Sequence, residues 1–165
     1  MACAERPAGE PTGSAASELA GDSPRSARRV RLERLASVDA LARLYLGHGL
    51  KRDELLALDA TSEEGVIAAL KARPDFRQQY ATRLGTFGAT EGKGASSNVV
   101  DPRAPIADVF GEPKDAERFA RWLVWTLAPA AADDVLAKHD AVLGQMTYDE
   151  LLDAVRAGAA ARRGS

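Results

Sequence analysis

The stretch GATEGKGASS, Gly88 to Ser97, sets a lysine among glycines, the residue types of a loop that wraps backbone N–H groups around nucleotide phosphates. In the pattern GxxxxGK[ST], with Gly92 and Lys93 as its GK pair, the first glycine falls on Phe87 and the magnesium-binding hydroxyl on Gly94. Both positions fail. A phosphate loop also joins a buried strand to a helix N-terminus, whereas a helical pattern precedes this run and an irregular segment follows it. No nucleotide is therefore expected at 88–97, which reads as a connector.

His139 followed by Asp140 resembles the paired ligands of metal phosphohydrolases, a chemistry that needs further His and Asp side chains at defined places. The chain has one other histidine, His48, set between two glycines at a helix end, where an imidazolium meets the negative end of the helix dipole. Asp133, Asp134 and Asp140 are accounted for as the start and exposed face of an alanine-rich helix. There is no GxSxG, and no serine has a neighbouring histidine to activate it. Glu63 and Glu64 are adjacent and point in different directions on a helix. A small helical enzyme using His139 and Asp140 is thus the third function considered. Neither a metal nor a cofactor is expected.

Two features suit binding instead. Arg25, Arg28, Arg29, Arg31 and Arg34, opposed by Glu33 alone, form a basic arm suited to phosphates or an acidic partner. Codon bias toward arginine and a solvated flank are the simpler account, and nucleic acid is the less expected partner. The would-be recognition helix SEEGVIAALKAR opens with two acidic residues, which phosphates repel. The second feature is Phe119, Trp122 and Trp125, at steps of three that each turn about 300°, so the aromatic stripe drifts around its helix. With Leu123 and Leu127 facing inward, one tryptophan falls at the edge, where it can anchor a partner helix or a second copy of the chain.

The elements that would carry these residues follow from composition and periodicity. At 165 residues the chain fits one domain, and 45% hydrophobic residues with 5% aromatics imply a core built mainly from Leu, Val and Ala. That composition favours helix. A net charge of -2 gives no global attraction to nucleic acid or an acidic membrane. Cys3 is alone, so an internal disulfide is absent; no apolar leader or membrane-length run is present, and a cytoplasmic protein is expected.

Residues 1–28, rich in Ala, Gly, Pro and Ser, read as a disordered tail, with residues 29–165 as the folded domain. Within it, a helical subdomain spans 30–84, a Gly/Pro-rich loop 85–113 and a second helical subdomain 114–162. Val30 to Leu35 fits a short strand or an early helical turn. Ser37 is the expected cap of the first helix, with Val38, Leu41, Ala42 and Tyr45 on its inner face. Thr61 with Glu64 and Thr147 with Glu150 have the spacing of capping boxes, and Pro74 closes one helix and opens the next. Phe76, Tyr80 and Leu84 form the stripe of that next helix.

The stretch VIAALKARPDFRQQY resembles the ending of some bacterial helical modules of unknown role; the likeness spans about fifteen residues and implies no function. The expected architecture is all-α, a compact bundle of about six to seven short helices. The expected role is a non-catalytic protein-interaction or adaptor module acting through an apolar helix surface, self-association included. A nucleic-acid regulator using the arginine arm is the alternative from another class.

Overall fold

The computed structural model describes residues 23–91 and 100–164, and it is all-α, with eight helices and, among the described residues, no strand. They are α1 (Pro24–Leu46), α2 (Arg52–Leu58), α3 (Glu63–Lys71), α4 (Pro74–Glu91), α5 (Ile106–Phe110), α6 (Pro113–Leu127), α7 (Ala132–His139) and α8 (Tyr148–Arg163). Short 3-10 turns, Pro129–Ala131 and Asp140–Gln145, flank α7. The tail reading for residues 1–22, with Cys3, lies outside the described residues.

The first helix starts well before Ser37. Ser23 caps it by accepting from the Arg25 N–H (3.4 Å), and Pro24 opens it with a preset φ and no N–H to leave unpaired. Residues 23–28, read as tail, are thus the cap and first turn of a 23-residue helix, and Val30 to Leu35 is helical. Ser37 sits mid-helix, its hydroxyl donating back to the Glu33 carbonyl (3.1 Å). The helix ends at Gly47, whose φ of 77° is the left-handed conformation that favours glycine.

Further along, Ser62 rather than Thr61 caps α3, accepting from the Gly65 N–H (3.2 Å), while the Thr147–Glu150 capping box forms at the start of α8. The long connector is shorter than its glycines suggest. Gly85 and Gly88 lie within α4, which continues to Glu91 because Leu84 and Phe87 are buried there; their burial outweighs the roughly 1 kcal/mol that a mid-helix glycine costs. The stretch Gly88–Ser97 thus begins as helix, and from residue 92 to 97 it lies outside the described residues.

The core is built mainly from Leu, Val and Ala, as the composition implies, and an aromatic chain runs through it. Tyr45 meets Phe76, Phe76 meets Tyr148, and Tyr148 stacks on Tyr80 with centroids 4.1 Å apart. Tyr80 then reaches Phe119, which packs against Phe87, Phe110 and Trp122. One connected series of rings therefore ties α1, α4 and α8 to α5 and α6. Trp125 is the one aromatic residue outside it.

Candidate functional site

The aromatic candidates separate by direction. Phe119 is fully buried and belongs to the core, so it cannot be part of an interface; Trp122 is half-buried against Phe87 and Phe119. Trp125, the third, is 49% exposed. Its helical neighbours are the half-buried Trp122 at i−3 and Arg121 and Arg118 at i−4 and i−7, so charge flanks it along α6. A single exposed apolar ring is ordinary on a protein surface.

The arginine arm also divides. On α1, residues 27, 30, 31 and 34 continue the stripe that Val38 and Tyr45 bury farther along, so Arg31 and Arg34 turn toward the body. Arg31 donates to Asp59 (2.7 Å) and Arg34 to the Thr61 carbonyl (2.7 Å), which holds α1 against the α2–α3 corner. Arg29 pairs with Glu33 one turn on (2.8 Å). The side chains of Arg25 and Arg28 have no carboxylate partner among the described residues.

His139 and Asp140 do not form one site. His139 lines a shallow groove with Gln145, Glu150 and Asp153, whereas the Asp140 carboxylate accepts from Arg121 (2.5 Å) on α6. Among the described residues no three His, Cys, Asp or Glu side chains converge as metal ligands. His48 lies within 3.6 Å of Asp75 at the start of α4.

One charged cluster was not anticipated. Lys71, at the end of α3, contacts Asp149 and Asp153 (2.9 Å) on α8 and lies over the Tyr45 ring, whose hydroxyl donates to Asp153 (2.5 Å). Burial pulls the Lys71 ammonium down, but the hydrogen bonds to Asp149 and Asp153 outweigh it and leave the group raised. Burial, with the Asp153 hydrogen bond and charge, raises the Tyr45 phenol. Both shifts hold the Lys71 ammonium and the Tyr45 phenol in their protonated forms. The physical effect of the cluster is to tie α3 to α8.

An opening lined mainly by apolar side chains lies between α1, the end of α6 and α8. It encloses about 560 Å³, with Ala128, Ala131 and Val155 as a buried floor and Leu41, Leu44 and Leu127 as partly exposed walls. The groove exists because Ala159 and Ala160 on α8 are too small to fill the space opposite α1. Its rim is polar. Arg156 pairs with Glu63 (2.5 Å) but its Nε is buried with no acceptor, and Arg163 has no ion-pair partner among the described residues. Sequence reasoning passed over this groove because alanines carry no chemistry of their own; the signal was the run AGAAARR near the end of α8, small side chains followed by cations.

Comparison with known proteins returned no matching family model, no similar curated protein and no similar solved structure. The likeness to bacterial helical modules accordingly gains no support. No helix among the described residues is long and apolar enough to cross a membrane.

Proposed function

We propose that this chain is a non-catalytic protein-interaction module, cytoplasmic, whose docking surface is the groove between α1, α6 and α8. The observation that carries the reading is the combination of an apolar floor and walls with cationic side chains, Arg156 and Arg163, along one rim. A groove framed by helices accepts the apolar face of another helix, with anchors at i, i+3, i+4 and i+7. The fitting occupant is an amphipathic helix of a partner protein, with aliphatic anchors toward Leu41, Leu44 and Leu127. A carboxylate beside those anchors would meet Arg163 at the rim.

The test places a photo-crosslinking residue at Ser37, an exposed position on the groove rim, in the full chain in its native cell. A discrete adduct with another polypeptide is expected, and Ala160→Trp, which fills the groove from an exposed position, should abolish it. An adduct that survives Ala160→Trp, or no adduct at all, would remove the groove as the docking surface; an adduct of twice the chain's mass would identify a second copy as the occupant in place of a partner protein.

A further inference from the structure

The outer face of α1 carries a second, separate arrangement. Arg25, Arg28, Arg29, Leu32, Leu35 and Ala36 stand at i−7, i−4, i−3, i, i+3 and i+4 about Leu32, which places them on one stripe of the helix. This stripe faces away from Arg31 and Arg34, the two arginines held by the body. Leu32 is 58% exposed, and nearly every residue from Pro24 to Ser37 is exposed, so the outer face of this part of α1 is open to solvent while Arg31 and Arg34 tie its inner face to the body.

The sequence of this segment runs against what a helix start prefers. The N-terminal end of a helix is the positive end of its dipole, where carboxylates stabilise and cations cost free energy. The first turn of α1 holds no acidic residue and does hold Arg25, with Arg28 and Arg29 in the next turn. Among the described residues Arg25 and Arg28 have no carboxylate partner, and with the exposed Leu32 on the same stripe they suit contact with an acidic, partly apolar surface.

We infer that the outer stripe of α1 docks an acidic amphipathic segment of a partner protein, with Arg25 and Arg28 meeting its carboxylates and Leu32 covered by an aliphatic or aromatic side chain. Charge decides against a second copy of the same helix, because pairing two such stripes brings like cations together. The Leu32, Leu35 and Ala36 end of the stripe favours a polypeptide over nucleic acid, since phosphates cover no aliphatic surface.

The experiment uses the full chain carrying Ala160→Trp, so that the groove is closed and the two surfaces are read separately. Three labelled probes are titrated by fluorescence anisotropy at low salt: a Glu/Leu peptide with leucines at helical spacing, poly-glutamate of equal charge, and a random-sequence DNA duplex. The Glu/Leu peptide should bind about tenfold more tightly than poly-glutamate, and Arg25→Glu with Arg28→Glu should weaken it about tenfold. Leu32→Ser should weaken it about fivefold, with helical circular dichroism unchanged for all variants. Equal affinity for the duplex, or indifference to Leu32→Ser, would overturn the inference by showing that the stripe reads charge alone.

Discussion

At the scale of single residues, Arg83 explains how a buried cation is tolerated without a carboxylate. Its side chain donates to the Tyr148 hydroxyl (2.5 Å) and to the Leu44 carbonyl (2.8 Å), and the Gln79 amide, with its oxygen turned toward Arg83 Nε (3.2 Å), accepts a third bond. In that orientation Gln79 also donates to the Leu46 carbonyl (3.3 Å). Leu44 and Leu46 lie in the last turn of α1, where carbonyls lack intrahelical partners and the dipole is negative, so the helix end acts as the counter-charge. Arg83→Met is expected to cost about 3 kcal/mol in urea unfolding, because it orphans both the Leu44 carbonyl and the Tyr148 hydroxyl. Tyr148→Phe should cost about 1–3 kcal/mol by leaving a guanidinium N–H unpaired. Tyr80→Phe is the contrasting case: its hydroxyl is buried with no partner, so removing it should leave stability within about 0.5 kcal/mol or raise it. A large loss for Tyr80→Phe would mean that its hydroxyl has a partner in solution.

At the scale of elements, two glycines in helix interiors should respond in opposite directions. A Cβ on Gly85 meets nothing within 4 Å, so Gly85→Ala should stabilise α4 by about 0.8 kcal/mol through helix propensity alone. On Gly158 the same Cβ would stand 2.3 Å from Val135 Cγ2, where α8 crosses α7. Gly158→Ala should therefore destabilise by about 1–2 kcal/mol despite the better propensity, and Val135→Ala in the same chain should recover part of that loss relative to the two changes added separately. Additive effects in that cycle would place the strain elsewhere. The same elements show what the sequence made legible. Helices with a strong apolar stripe, such as the one through Phe119 and Leu123, and the proline boundary at Pro74 were readable because burial period and backbone chemistry agree there. The start of α1 was missed because Ser23–Pro24 is a start signal without an apolar stripe behind it; tertiary ties through Arg31 and Arg34 stand in its place. The end of α4 was missed because Phe87, a buried anchor, lies between two glycines that read as punctuation. The groove was invisible for a different reason, since it is defined by the volume alanines leave empty and not by any side chain that projects.

At the scale of the whole molecule, the aromatic chain couples the two halves of the bundle and also makes the fold sensitive to alkali. All three tyrosines are fully buried, and burial is the first cause of the upward shift of each phenol; for Tyr148 the value reaches about 12 against an ordinary 10.0. Neighbouring charge modifies this differently at each ring. Asp153 adds to the shift at Tyr45, Tyr148 and Asp108 add to it at Tyr80, and Arg83 opposes it at Tyr148. Below pH 10 both folded and unfolded chains keep these phenols protonated, and their contribution to stability is fully present. Above it the unfolded chain releases protons that the folded chain retains, so the unfolded state binds fewer protons and stability falls as pH rises. Each phenol then removes up to about 1.4 kcal/mol per pH unit until its folded value is reached. The raised Lys71 ammonium acts with the same sign, being held protonated by Asp149 and Asp153 in the folded state. Three phenols titrating together remove up to roughly 4 kcal/mol per pH unit, a large fraction of a typical domain's total stability, so cooperative unfolding is expected between pH 10 and about 12. Tyrosinate absorbance should appear in step with the loss of helical circular dichroism, and Tyr45→Phe should shallow the fall of the urea midpoint with pH. Tyrosinate forming gradually near pH 10 in a chain that keeps its helices would show that the rings are open to solvent and that the aromatic chain does not seal the core.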